Sequence, residues 1–340
     1  MATTTLTREM LRKERARAQF AAGLILKDHL KVVQSDGEGK TVVEFVSTDN
    51  FNRAWYERQR YEVDAGRDLE PLLYTPIYSI TEDATLPRNV PIYRLGPAGV
   101  VFEEVTEGGE VKFASVGQSN ISVPIKHYAF GLEYTKDLLM YNELWALADV
   151  ERQAGTAFNA LLNHIHLAPI LNGSYSAPNQ TPASAVGATL TEKYLRTIED
   201  GITAASTDTT NPRRGPYVLL VSTSNLFTME RALTIAPQQG FTLQSSALSR
   251  IQQVIAYDGW TGVRGKKAVT YPGVTANKAY LIDTGYRERN FKSFVKQGLQ
   301  RTTGNEDVSR FVLEQSVWDW YGGLFADVIG AVEELTLPTS

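Results

Sequence analysis

NISVPIKHYAFGLEYT, at residues 120–135, and NELWALADVERQAGTAFNALLNHIH, at 142–166, decide how the rest of the chain is read. In the first, Ile121, Val123 and Ile125 alternate in one phase, whereas Tyr128, Phe130, Leu132 and Tyr134 alternate in the other. A one-residue slip in a period-two pattern implies a bulge or kink, here near Lys126 and His127, in one long strand that bends. In the second, Leu144, Leu147, Val150, Ala154, Phe158, Leu161 and Ile165 recur at spacings of three and four, which predicts a helix about 37 Å long. Pro169 and the Asn172-Gly173 pair are expected to end it.

Immediately upstream, residues 100–116 read VVFEEVTEGGEVKFASV, two strand-like runs around Gly108-Gly109. Two glycines flanked by β-branched and aromatic residues are a hairpin signal. Pairing across the turn puts Thr106 opposite Val111, Glu104 opposite Phe113 and Phe102 opposite Ser115. The other face carries Val105 with Lys112, Glu103 with Ala114 and Val101 with Val116. Both faces mix apolar and charged side chains, and an isolated two-stranded ribbon is marginal in water. The ribbon therefore needs a second surface.

Farther upstream, DNFNRAWYERQRYEVDAGRDLEPLLYTPIY (49–78) sets Phe51, Trp55, Tyr56 and Tyr61 among dense charges, with Asp49 placed to cap a short helix. Two readings stand: a surface that another protein covers, or a peripheral helix packing its own domain. Residues 1–31 hold seven Lys/Arg against three Asp/Glu and read as a charged surface helix. Downstream, Thr189 and Glu192 have capping-box spacing. NPRRGP (211–216) reads as a turn and YVLLV (217–221) as a buried strand. Helices are expected over about 224–233 and 245–254, and short strands over 254–257, 268–271 and 278–282. The aromatic-rich stretch DVSRFVLEQSVWDWYGGLFADVIGAVEEL (307–335) reads as strands.

The 340 residues are 43% hydrophobic, with 34 Lys/Arg against 38 Asp/Glu and a net charge of -4, which argues against a nucleic-acid reader working through a basic face. There is no cysteine, so disulfides, thiolate catalysis and cysteine-bound zinc are excluded. The N-terminal stretch is charged where a signal peptide is apolar, and AAGLIL (21–26) is too short to span a bilayer. A cytoplasmic site of synthesis is expected. Motifs for chemistry are poor. His164 and His166 lie two apart on a helix and cannot share a ligand face. GQSNI (117–121) lacks the last glycine of a nucleophile elbow. GWTGVRGKKA (259–268) lacks the spacing of a phosphate loop, so Lys266 and Lys267 read as an exposed turn. Glu103-Glu104 and Glu333-Glu334 each put neighbouring carboxylates on opposite strand faces. No catalytic residue, cofactor or metal site is expected.

The order of features across roughly residues 49–335 resembles the major capsid proteins of tailed double-stranded DNA bacteriophages, the Hong Kong 97-like fold. The resemblance implies an α+β chain in which 1–48 is a charged N-terminal segment and 49–81 an N-terminal arm. An extended β-hairpin loop (82–120), a peripheral domain with a spine helix (121–170), an axial α/β domain (171–300) and return strands of the peripheral domain (301–340) follow. In that family the loop lies across a neighbouring subunit, which would supply the ribbon's second surface. The implied subunit-interface residues are Trp55, Tyr56 and Tyr61 in the arm and Phe102, Val105, Val111 and Phe113 in the loop. The implied role is a head protein assembling as hexamers and pentamers into an icosahedral shell around double-stranded DNA. The implied partners are further copies of itself, a portal protein and a decoration protein, with no membrane, and its place is the virion.

Some members carry a long N-terminal scaffolding region. Only residues 1–48 precede the arm here, so a separate scaffolding protein is expected. Other members crosslink a loop Lys to a neighbour's Asn; Lys112 is the single Lys of the loop, and such a bond is not expected. On the same fold, the alternative is an encapsulin-type nanocompartment shell, against which the extra N-terminal residues count. A soluble α/β enzyme with a non-local site is the third reading.

Overall fold

A computed structural model describes residues 49–93, 121–135, 144–238, 247–264, 267–303 and 312–339. In chain order the elements are α1 (Asp49–Arg67), β1 (Ser79–Glu82), β2 (Asn89–Ile92), β3 (Ile121–Pro124), β4 (Lys126–Thr135), α2 (Leu144–Leu171) and β5 (Gln180–Thr181). Next come α3 (Leu190–Thr207), β6 (Tyr217–Val221), α4 (Thr223–Gln238), β7 (Ile251–Ala256), β8 (Gly259–Arg264), β9 (Lys267–Pro272) and β10 (Lys278–Asp283). The chain closes with α5 (Arg287–Asn290), β11 (Phe291–Thr303), β12 (Val312–Ala326), α6 (Val328–Ala331) and β13 (Val332–Thr336). It divides into two units: residues up to Pro71 with 141–159, and residues 72–140 with 160–340.

In the first unit, α1 lies against the N-terminal part of α2. Gly66 and Gly155 permit the crossing: a Cβ on Gly66 would overlap the Arg152 carbonyl oxygen, and one on Gly155 the Val63 carbonyl oxygen. Around that contact, Arg152 Nε reaches Glu62 Oε2 at 2.6 Å and Arg58 lies 3.8 Å from buried Glu151. Asn159 Nδ2 donates to the carbonyls of Arg67 (2.7 Å) and Glu70 (2.8 Å), satisfying acceptors that the end of α1 leaves open.

The second unit holds two larger sheets. The first has strand order β1-β11-β12-β4. Trp318 stands opposite Phe130 and Trp320 opposite Tyr128, so both tryptophans lie on one face. Tyr321 stacks on His127 across the other face, with ring centroids 4.2 Å apart. The second sheet has order β5-β13-β10-β6-β7. Its core joins Leu219, Val221, Leu281 and Leu335 to Tyr194, Ile198 and Ile202 of α3 and Met229 of α4. All five residues of β6 are buried, and the Thr189–Glu192 capping box starts α3, both as expected.

Several expectations are corrected. The bent strand is two strands: it breaks at Ile125, whose N–H donates to the Arg88 carbonyl. Val123 then points inward in one sheet while Tyr128 and Phe130 lie on the tryptophan face of the other, so the phase slip marked a change of sheet. Helix α2 runs through Pro169 to Leu171: the proline gives up the N–H bond to the Ile165 carbonyl, and the fully buried Leu167 and Ile170 hold the last turn in place. Its buried residues include Glu151, Gly155, Asn159, Leu162, Asn163, His166 and Ile170; of the expected stripe, Phe158 is buried with them, whereas Val150 is 44% exposed. Residues 247–250 form a 3₁₀ turn and 251–256 a strand pairing parallel with β6, in place of the expected helix. GWTGVRGKKA opens the β8–β9 hairpin, with Lys267 the first residue of β9. The last strand, β13, was grouped with the return strands of 301–340. It pairs instead with β10 and β5, because Asp327 and α6 turn the chain back into the second sheet.

His166 ties three segments of the second unit. Its Nδ1 donates to the Leu162 carbonyl at 2.7 Å, leaving Nε2 to accept from Ser293 Oγ of β11 at 2.8 Å. Tyr74 stacks on its ring at 3.7 Å, and Tyr78 meets it edge-on and donates to its backbone carbonyl at 2.7 Å. Burial lowers its pKa from 6.5 to about 4. The folded state therefore resists a proton that the unfolded chain accepts near pH 6.5. The neutral ring's contribution is complete above that pH and is lost as the pH falls to about 4, on the order of 3 kcal/mol. Thermal unfolding between pH 7 and 4 is expected to show this loss, and His166→Gln to flatten the profile across that window. An unchanged profile in His166→Gln would assign the acid sensitivity elsewhere.

Candidate subunit interface

The loop expected to carry the interface springs from a defined root. Strands β2 and β3 pair antiparallel with Ile92 opposite Ile121, so residues 93–120 leave and return at one point. Val90, Ile92 and Val123 pack with Phe294 of β11, and Leu86, Ile125 and Phe325 close around them. Lys296 Nζ donates to the Leu86 carbonyl at 2.6 Å, fixing the approach to β2. This cluster anchors the root on the first sheet, while Tyr93 beside it stays 63% exposed. Phe102, Val105, Val111 and Phe113 lie outside the described residues.

In the arm, Trp55 and Tyr56 belong to α1, but their side chains fall outside the described residues; Tyr61 is half-buried. The C-terminal part of α1 packs on its own chain through Gln59, Glu62, Val63 and Gly66, which is the second of the two readings of this segment. Of the seven named residues, Tyr61 is the one whose side chain lies among those described. Sequence reasoning missed the glycine crossing; its signal was the pair of small-residue steps, Ala65-Gly66 and Ala154-Gly155.

It also missed a buried polar hub. Arg213, read as part of a turn, is almost wholly buried. Its Nη2 lies 2.9 Å from Glu333 Oε2 and 3.5 Å from Asp208 Oδ2, and donates to the Pro178 carbonyl at 3.3 Å. Thr181 Oγ1 donates to Glu333 Oε1 at 2.6 Å. Burial raises the Glu333 pKa, against the opposing pull of the Thr181 hydroxyl and the Arg213 guanidinium. On the opposite face of β13, Lys278 Nζ reaches Glu334 Oε2 at 2.7 Å. Each glutamate of the adjacent pair therefore has its own cation, and together they lock β13 between β10 and β5.

Among the described residues, no group of three or more potential metal ligands converges. The groups most perturbed by burial are structural: Tyr78 and Tyr175 have raised phenol pKa values, and each donates to a backbone carbonyl of α2. No described helix is long and apolar enough to cross a membrane.

The family model for phage capsid protein matches residues 119–330, more than half of the chain. No curated protein matches the sequence. Among solved structures, the asymmetric unit of the bacteriophage PhiM1 mature capsid aligns with a TM-score of 0.51 at 10% identity, covering 79% of this chain and 88% of that one. A virus-like particle from Pyrococcus furiosus aligns with a TM-score of 0.50 at 12% identity, covering 82% and 98%. At such identities the likeness is one of fold.

Proposed function

Because the chain belongs to the phage capsid protein family, we propose that it is the major head protein of a tailed phage. It forms the capsid shell of a virion, with hexamers and pentamers closing an icosahedron around double-stranded DNA. Its role is structural and not catalytic. A separate scaffolding protein guides assembly, a portal protein occupies one vertex, and a decoration protein binds the outside. DNA is enclosed without sequence-specific contacts, in keeping with a net charge of -4.

The observation that carries this reading is family membership. The anchored root at Ile92 and Ile121 supports it, because a long excursion on a rigid base is suited to reaching a neighbour. Deleting residues 100–116 is the test. The variant is expected to keep the secondary structure and melting behaviour of the parent while failing to close shells. Normal shells from the deleted chain would remove the loop from the interface. The likeness to the Pyrococcus particle keeps an encapsulin-type compartment as second reading; protein cargo inside purified particles, in place of DNA, would favour it.

A further inference from the structure

One end of the second sheet gathers basic side chains from three loops. Strands β6 and β7 run parallel and β10 antiparallel to β6, with Asp283, Tyr217 and Ile251 in register. The segment before β6, the 3₁₀ turn before β7 and the loop after β10 therefore meet. Thr284 donates to the Pro216 carbonyl through both N–H and hydroxyl at 2.9 Å, and Arg250 Nη1 donates to the Arg214 carbonyl at 3.2 Å. Arg214, Arg250 and Arg287 are exposed there, beside Tyr286 at 65% exposure. The nearby carboxylates are turned inward: Asp208 onto Arg213, and Asp283 onto the backbone N–H groups of Gly215 and Gly285. Glu288 is exposed in the same loop, followed by Arg289, so the surface is net positive. Arginine and tyrosine on pinned loops are the residue types that dominate binding hot spots, and guanidinium groups match carboxylates in paired geometry.

The complementary partner is written in the same chain. Residues 103–110, EEVTEGGE, carry four glutamates and no basic residue, the densest acidic run in the sequence. This run lies at the midpoint of the excursion between Ile92 and Ile121, and an extended excursion of that length reaches at most about 45 Å. A basic surface and an acidic segment at separate places on one chain make a head-to-tail contact, which builds a ring when the rotation between copies closes and an open filament when it does not.

We propose that the surface formed by Arg214, Arg250, Tyr286 and Arg287 receives the acidic segment Glu103–Glu110 of a second copy of this chain. The proposal rests on the shell reading above and names the receiving face of that contact.

The absence of cysteine makes a direct test clean. The full chain carrying Glu107→Cys and Arg250→Cys, purified as particles and oxidised, is expected to give a ladder of multimers on a non-reducing gel. Reductant should collapse the ladder, and each single variant should give none. In parallel, Arg214→Glu, Arg250→Glu and Arg287→Glu together should cut particle yield roughly tenfold. Adding Glu103→Lys, Glu104→Lys and Glu107→Lys should restore it, a rescue that misfolding cannot mimic. Particles that form normally but show no crosslink, or only a crosslink within one chain, would overturn the proposal and leave the shell reading intact. So would a charge-reversed surface that assembles as well as the parent but loses binding to a DNA duplex, which would assign the surface to nucleic acid. If the unaltered chain forms no particles with its scaffold, both readings fall together.

Discussion

Arg213→Ala is expected to lower stability by about 3–5 kcal/mol, because it leaves the Glu333 and Asp208 carboxylates buried without their cation. For a chain of this size that corresponds to a fall in Tm of roughly 5 °C. Arg213→Lys should recover only part of the loss. Lysine keeps the charge that Nη2 carries to Glu333, Asp208 and the Pro178 carbonyl but lacks a second terminal nitrogen such as Arg213 Nη1, which donates to the Ile329 carbonyl at 3.5 Å. Arg213→Met combined with Glu333→Met should be more stable than Arg213→Met alone, since the double variant removes the charge that the single one strands. Differential scanning fluorimetry of the four variants checks the series. A Tm for Arg213→Ala within about 1 °C of the parent would show that the hub contributes little.

Gly155→Val acts on a different contact. Its first side-chain carbon falls on the Val63 carbonyl oxygen, and backbone on the facing helix cannot step aside as a side chain can. Overpacking by a methylene or two commonly costs about 1–3 kcal/mol, and a branched side chain against backbone is expected at the upper end. The damage should be local. Helix α1 should lose its protection, so that trypsin cuts at Arg58, Arg60 or Arg67 at least tenfold faster. The β6 and β10 backbone should keep its slow hydrogen exchange. Unchanged cleavage of α1 in Gly155→Val would mean that the helices do not meet through the two glycines.

What could be read from sequence was local. The capping box of α3 needs only residues three apart, and the all-apolar β6 announces its own burial. The long helix was legible as a helix, but its buried face was not. Periodicity assigns polar side chains to solvent, whereas Glu151, Asn159, Asn163 and His166 point inward. In the second unit, Asn163 Oδ1 accepts from the Leu73 N–H and His166 serves Ser293; in the first, Asn159 takes up the carbonyls of Arg67 and Glu70. Irregular backbone must find hydrogen-bond partners when buried, and these side chains provide them. Strand β7 was misread for a related reason: IQQVIA has little local preference and is held by pairing with β6. The Arg213–Glu333 contact joins residues 120 positions apart, beyond any local motif. For the loop, sequence predicts the need for a second surface, and under the proposed shell reading a neighbouring copy supplies it.

The most direct test of the central claim is the particle size of the purified full-length protein, expressed with its scaffolding partner, by sedimentation and negative-stain electron microscopy. The shell reading predicts closed, uniform particles tens of nanometres across. A well-folded monomer or dimer that stays small under those conditions would contradict it.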